Sequence, residues 1–447
     1  MELSPEQQLA FNLFKQGKNL FITGPGGTGK TALIRLMVEY SKQNNLAIQV
    51  CAMTGCAAVL LNCNAKTLHS WAGIGLGKGK IDEQTEKIVR NKLKVKNWLS
   101  TSILIIDEVS MLSKKLLLLL DSIAKRAKKN PFTPFGGMQI VFSGDFYQLP
   151  PIGQKDEPDT SEFCFESPLW RMLFNKENTI LLKTIFRQDD ELYIKALCQI
   201  REGVLTKSSY NALLSCVSKK LELPDEMKPT ILLPIRSKVE MINISHLNHL
   251  ENEEVTISYK NVVDDISTLV NREQRQIRLN VSANDIEYEQ EYLINNCMCD
   301  RELKLKVGAQ VMCVINLDME GECGSQICNG SQGIVVGFDK GFPRVKFLNG
   351  NIRLMNYHTW YSEKIPGIGI KQVPLILAWA LTIHKAQGTT LEYAEVDAGS
   401  SIFECGQVYV ALSRVKSLNG LSLKSFNPQK IKVNKKVQDF YNSLTNT

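Results

Sequence analysis

The chain contains no hydrophobic run approaching the ~18 residues of a membrane-crossing helix, so no membrane partner is expected. Internal repeats and low-complexity tracts are also missing, which excludes solenoids and disordered linker proteins. Its twelve cysteines include no C-x-x-C pair. Cys297 and Cys299 with Cys323 and Cys328 form the densest group, yet without that spacing reduced structural thiols are expected rather than zinc. Scattered cysteines point to a reducing compartment. The N-terminus carries Glu2 and Glu6 but no arginine, unlike a secretory signal or a mitochondrial presequence, so a nuclear or cytoplasmic location is expected. Charge of one sign is not in large excess: 53 Lys and Arg against 46 Asp and Glu leave +7. That balance is compatible with a polyanionic partner without demonstrating one. With 44% hydrophobic and 22% charged residues, the 447-residue chain is an ordinary globular protein, long enough for several domains.

What is present begins with Gly24-Pro25-Gly26-Gly27-Thr28-Gly29-Lys30-Thr31, which fits G-x-x-x-x-G-K-[ST] without mismatch. Asn19 to Thr23 reads as a short apolar strand before it, and Ala32 to Glu39 as a helix after it. Glycines let the loop wrap closely around phosphate, so that backbone N–H groups and the helix N-terminus point at the anion. Lys30 then reaches the β- and γ-phosphates, and the Thr31 hydroxyl ligates Mg²⁺. The second signal is Ser102-Ile103-Leu104-Ile105-Ile106-Asp107-Glu108, a continuous apolar strand ending in two carboxylates. Asp107 suits Mg²⁺ held through water, and Glu108 suits a general base for the attacking water.

Other segments admit two readings. Ser4-Pro5-Glu6-Gln7 is a helix start by capping-box logic, which fully explains Gln7. Met53 to Leu60 follows a buried strand at Ala47 to Ala52, and its small residues are either close packing or a second phosphate seat. Thr67-Leu68-His69-Ser70-Trp71-Ala72-Gly73 reads as a capped helix with a core tryptophan, or as polar groups gathered on one turn. Gln148, after the apolar strand Met138 to Phe142, is either a turn residue beside Pro150-Pro151 or a group that orients water at the γ-phosphate. Arg187 and Arg414 are ordinary arginines or fingers on the transferring phosphoryl group, and a lone His384 is more often satisfied by its neighbours than functional. Strands alternating with helices predict an α/β fold with a parallel sheet. Leu76 to Trp98 has the texture of a small exposed insertion. Glu254 to Pro374 has that of a small β-barrel, with helix-rich texture not returning until Ala378.

Taken in order, these segments resemble the Pif family of superfamily-one B DNA helicases, relatives of the RecD-type enzymes. The resemblance rests on Leu3-Ser4-x-Glu6-Gln7, Gly24 to Thr31, Thr54-Gly55-x-Ala57-Ala58, Thr67 to Gly73 and Asp107-Glu108-Val109-Ser110-Met111. It continues through Gly144-Asp145-Phe146-Tyr147-Gln148-Leu149-Pro150-Pro151, Phe186-Arg187-Gln188, Thr382 to Gly388 and Ala411-Leu412-Ser413-Arg414. Trp71 stands where the family usually has phenylalanine.

The resemblance implies two RecA-like P-loop NTPase motor domains, at 1–180 and at 181–253 with 375–447. It also implies a wedge insert at about 76–100 and an SH3-like β-barrel at 254–374. Gln7 becomes an adenine reader, Gln148 and Gly388 γ-phosphate contacts, and Arg187 and Arg414 fingers from the second motor domain. Thr54, Gly55, Thr67, His69, Ser70, Trp71, His384, Lys385 and Gln387 become contacts to single-stranded DNA. ATP and Mg²⁺ are the implied cofactors, single strands and strand junctions the partners, and a monomer with possible DNA-induced pairing the state. Movement is implied to run 5′ to 3′.

Overall fold

A computed structural model describes residues 3–61, 63, 65–75, 77, 79–153, 157–221, 223, 227–269, 272–315, 317, 327, 329–362 and 365–445. The chain forms two compact units. The first comprises 1–220, 383–388 and 395–447, and the second 221–382 and 389–394.

The first unit is built on a six-stranded sheet in the order Lys66–Thr67, Ile48–Ala52, Ile103–Asp107, Gln139–Ser143, Leu20–Thr23, Thr179–Leu181. Every neighbouring pair is parallel. Side chains alternate along a strand, so the strand Leu20–Thr23 serves two cores at once. Leu20 and Ile22 enter an aliphatic core with Ala10, Phe14, Leu33, Met37 and Ile105. Phe21 points the other way into an aromatic layer, 4.9 Å from Trp170 and 6.1 Å from Phe440 between ring centroids. Burial on both faces is why these strands read as continuous apolar runs. Helix Pro5–Lys15 starts with the expected capping box, Ser4 and Gln7 each satisfying the other's backbone N–H.

The segment around 76–100 forms two helices, Ile81–Arg90 and Lys92–Ser100. Most of its described residues are exposed or partly exposed, as the mixed-charge texture suggests, around one deep anchor. Trp98 is fully buried, its ring centroid is 4.5 Å from that of Trp71, and its indole N–H donates to the Ala72 carbonyl at 3.2 Å.

The second unit carries a five-stranded sheet in the order Ile352–Leu354, Phe342–Phe347, Gln332–Asp339, Gln310–Cys313, Leu375–Leu377, antiparallel throughout. Beside it lie a three-stranded sheet of His358–Tyr361, Ile368–Gln372 and Lys260–Val263 and a two-stranded one of Glu302–Leu305 and Val255–Ser258. Ala380–Thr382 pairs in parallel with Thr230–Leu233. The expectation of no helix between Glu254 and Pro374 is corrected: Arg272–Leu279 and Ala283–Asn296 are helical. Hydrophobic periodicity misses the second because it packs through polar residues. Glu289 accepts from the Ser362 hydroxyl at 2.9 Å, and the Gln290 amide donates to the Val262 carbonyl at 3.2 Å.

Among the described residues no helix is long and apolar enough to cross a membrane, and no group of metal-ligating side chains is assembled. Nine cysteines there are thiols rather than half-cystines, whereas Cys323 and Cys328 lie outside the described residues.

Because Trp98 anchors the inserted helices, Trp98→Ala is expected to lower unfolding stability by about 3–5 kcal/mol. Urea titration followed by circular dichroism measures the change.

Candidate functional site

The loop from Gly24 to Thr31 leaves the end of a central strand and enters helix Lys30–Gln43. Gly27 and Gly29 have φ of +87° and +79°, the left-handed region that glycine adopts without strain. Space reinforces the requirement: a Cβ on Gly29 would sit 2.6 Å from the Gln7 amide nitrogen, and one on Gly27 would sit 2.7 Å from Arg187 Cβ. Gln7 is fully engaged, its oxygen accepting from Ser4 N–H at 3.0 Å and its nitrogen donating to the Thr28 carbonyl at 3.1 Å. Lys30 Nζ donates to the carbonyls of Gly24 and Pro25 at 2.7 and 2.9 Å. Enclosure by protein atoms pulls the Lys30 ammonium below its ordinary pKa, against the raising pull of Asp145, Glu108 and Asp107.

The two carboxylates stand at the carboxyl edge of the same sheet. Asp107 ends its strand and is 6% exposed, and Glu108 follows in a left-handed conformation at φ +56°. Such backbone in a non-glycine residue costs on the order of 1–3 kcal/mol and persists where the surroundings dictate it. Burial raises the pKa of Asp107, and enclosure, then the charge of Asp107, raises Glu108 to about 7. The Gln387 amide donates to Glu108 Oε2 at 3.0 Å and to Gln148 Oε1 at 3.3 Å. Gln387, expected among the strand contacts, thus faces the carboxylates.

Both arginines reach the loop. A Cβ on Gly26 would lie 3.6 Å from Arg187 Nη1 and 3.6 Å from Arg414 Nη2. Arg414 is 2% exposed and donates only to neutral groups, the Val410 carbonyl at 2.9 Å and the Ser413 hydroxyl at 2.8 Å. Arg187 donates to the Ser413 carbonyl at 3.1 Å. Among the described residues neither forms an ion pair. Enclosure, followed by the like charge of Arg414, brings Arg187 down to about 9.

Four participants escaped the sequence reading. Asp145 is fully buried and takes Arg201 as a two-pronged partner, Nε to Oδ2 at 2.8 Å and Nη2 to Oδ1 at 2.9 Å. Tyr409 donates to Asp145 Oδ2 at 3.2 Å and accepts from Gly26 N–H at 2.8 Å. Tyr441 donates to Oδ1 at 3.4 Å, and its hydroxyl lies 2.6 Å from that of Thr23. No local pattern marks the three partners, which lie 56 to 296 positions from Asp145.

The remaining expected residues divide by place. Thr54 caps helix Gly55–Leu61, accepting from Ala57 N–H at 3.2 Å. Thr67 pairs with Ala52, which pairs with Asp107, so Thr67 shares the carboxyl edge of the sheet with the acidic pair. His69 and Ser70 are partly exposed, whereas Trp71 is 2% exposed and packs against Trp98 with the two ring planes tilted by 45°. His384 is exposed, Lys385 partly so, and Gly388 has φ +84°. Thr31 lies in the first turn of the loop helix, partly exposed.

A model of the family described as PIF1-like helicase matches residues 2–209, and one described as the DNA helicase Pif1 2B domain matches 290–338. The chain is 32% identical to the ATP-dependent DNA helicase RRM3 of Saccharomyces cerevisiae over 99% of its own length and 68% of the relative's. It spans 56–65% of the length of four PIF1 relatives from fungi, fish and frog. Among solved structures it is similar to the Pif1 helicase of Candida albicans, with TM-score 0.77, 35% identity and both chains fully covered. It is also similar to a Bacteroides Pif1 helicase in complex with ADP-AlF3 and single-stranded DNA, with TM-score 0.67, 28% identity, and 100% and 98% of the two chains covered.

Removing one half of the buried Asp145–Arg201 pair leaves the other charge uncompensated. Arg201→Met is therefore expected to cost about 3–5 kcal/mol of stability, measured by urea unfolding.

Proposed function

This chain belongs to the PIF1-like helicase family, and from that premise we propose that it is an ATP-dependent DNA helicase. It moves 5′ to 3′ along single-stranded DNA and separates duplex or structured DNA in replication, repair or recombination. The observation that carries this reading is the pair of arginines, neither in an ion pair among the described residues, converging on Gly26 of a glycine loop. A γ-phosphate is the anion that their position at the loop suits.

The residues fit a nucleoside triphosphate. Gly27 and Gly29 leave room for backbone N–H groups to approach phosphate. Lys30, which holds loop carbonyls here, turns to the β- and γ-oxygens. Glu108, with a pKa near 7, is placed to take a proton from the attacking water, and Gln148 and Gln387 to orient that water and the base. Arg187 and Arg414 neutralise the charge that develops on the transferring group. Thr31 and Asp107 are the residues to hold Mg²⁺, which when bound supplies charge neutralisation between the β- and γ-phosphates. Gly388 serves the γ-phosphate and Gln7 the adenine edge, the latter after giving up its contact with Thr28.

Thr54, Gly55, Thr67, His69, Ser70, His384 and Lys385 are assigned to the DNA backbone, and buried Trp71 to holding that turn in shape. Gln387 follows Lys385 closely in the chain and touches Glu108, a short physical route between strand and hydrolysis. The proposed layout keeps motor domains at 1–180 and at 181–253 with 375–447, a wedge at 76–100 and a barrel domain at 254–374. The match of the 2B model inside that last range supports it. Binding without base readout rests on phosphate contacts and is therefore strongly salt dependent. A monomer that pairs on forked DNA, in the nucleus or cytoplasm, completes the proposal.

Fluorescent duplexes carrying a 5′ or a 3′ single-stranded tail test the function. ATP-dependent separation of the 5′-tailed substrate alone is expected, and no separation of either rejects the reading. Arg414→Ala is expected to lower kcat for ATP hydrolysis by roughly 10³-fold or more while ADP affinity stays nearly unchanged, as followed by coupled-enzyme turnover and fluorescent-nucleotide titration.

A further inference from the structure

The helix that precedes Arg414 is fixed to the nucleotide loop by one hydroxyl. Helix Gln407–Leu412 begins at Gly406, where a Cβ would lie 2.6 Å from the carbonyl oxygens of both Tyr147 and Gln148. The helix therefore presses directly on the turn that carries Asp145 and Gln148. Its far end is held by Tyr193, whose hydroxyl donates to the Leu412 carbonyl at 2.7 Å. Between these points Tyr409, 3% exposed, accepts from Gly26 N–H at 2.8 Å and donates to Asp145 Oδ2 at 3.2 Å. Burial keeps the phenol protonated, so this donor and acceptor assignment is the one available. Asp145 is in turn immobilised by the two prongs of Arg201, whose guanidinium lies 4.4 Å from the Tyr147 ring centroid and 5.0 Å from that of Tyr441.

We propose that Tyr409 is a positioning residue that sets the register between the nucleotide loop and the helix leading to Arg414, with the Asp145–Arg201 pair as its holder. Gly26 is the residue on which both arginines converge, so the hydroxyl that holds its N–H also decides where the guanidinium of Arg414 stands relative to the loop. A ground-state diphosphate does not need that alignment. The transition state of phosphoryl transfer does, because charge on the equatorial oxygens is what the arginine meets. A misplacement of about 1 Å in such a contact costs on the order of 10²-fold in rate.

The inference rests on the proposed ATPase reading, and Tyr409→Phe tests it in the full-length chain. Compared with wild type, kcat for DNA-stimulated ATP hydrolysis is expected to fall roughly 10- to 100-fold. Affinity for fluorescent ADP is expected to stay within about twofold, while the extra affinity for ADP with aluminium fluoride is lost. Tyr441→Phe removes a second hydroxyl from the same carboxylate, one bonded to Thr23 rather than to Gly26, and is expected to lower kcat at least about fivefold less than Tyr409→Phe does. Wild-type turnover by Tyr409→Phe overturns the assignment, as does loss of ADP affinity in step with kcat. An equal fall in Tyr441→Phe also overturns it, because any loosening of the buried cluster would then suffice. An inert wild-type protein rejects the ATPase reading and the assignment together, whereas an active wild type with an unaffected Tyr409→Phe rejects only the latter.

Discussion

Two guanidinium groups held side by side, neither in an ion pair among the described residues, are the condition around which the nucleotide site is arranged. Arg187 and Arg414 both approach Gly26, and every hydrogen bond described for them goes to a carbonyl or a hydroxyl. Repulsion between like charges grows as the dielectric falls, so this geometry is costly on its own and stable only while the surrounding scaffold enforces it. The contrast with Arg201 is instructive. That arginine is buried like Arg414 but faces Asp145 through two short bonds, which makes it a structural strut. One protein thus uses the same side chain in two electrostatic conditions, separated by whether a carboxylate stands opposite.

The acidic side of the site is arranged in complementary fashion. Asp107 and Glu108 are adjacent, enclosed and mutually repelling, and both are pushed toward the protonated form. Glu108 is also held in left-handed backbone, with its carboxylate tied to Gln387. Positive and negative groups face a common glycine loop without cancelling one another directly. Lys30 is the mediator, drawn by three carboxylates while hydrogen-bonded to loop carbonyls. A polyphosphate would offer the cationic groups among them one common partner.

Much of this was legible in sequence where the signal is local. The strand, loop and helix around Gly24 to Thr31 follow from apolar runs and glycine spacing, and the helix start at Ser4 from its capping box. Helix Ala283–Asn296 was not legible, because Glu289 and Gln290 occupy positions where burial normally selects apolar residues. The texture around Leu76 to Trp98 suggested an exposed insertion outside the sheet, which its two helices are, but gave no sign that Trp98 is their buried anchor. Gln387 and Tyr409 show the firmest limit. Their roles depend on partners 279 and 383 positions away, a relation that periodicity cannot encode.

The hydroxyls of Thr23 and Tyr441 meet across 418 positions of chain. The strand that holds Thr23 also borders Gln139–Ser143 and Thr179–Leu181, so one edge stays unpaired until the first of these has been made and the other until the second. During synthesis the central strand and its glycine loop therefore emerge long before the residues that enclose them. At about 5–20 residues per second, tens of seconds pass before Tyr441 follows Thr23. A parallel sheet assembled from such distant pieces folds slowly and exposes unpaired apolar edges meanwhile. The nascent chain consequently has reason to depend on a chaperone or on the ribosome surface through most of its translation, and recombinant yield should respond to slower elongation and lower temperature.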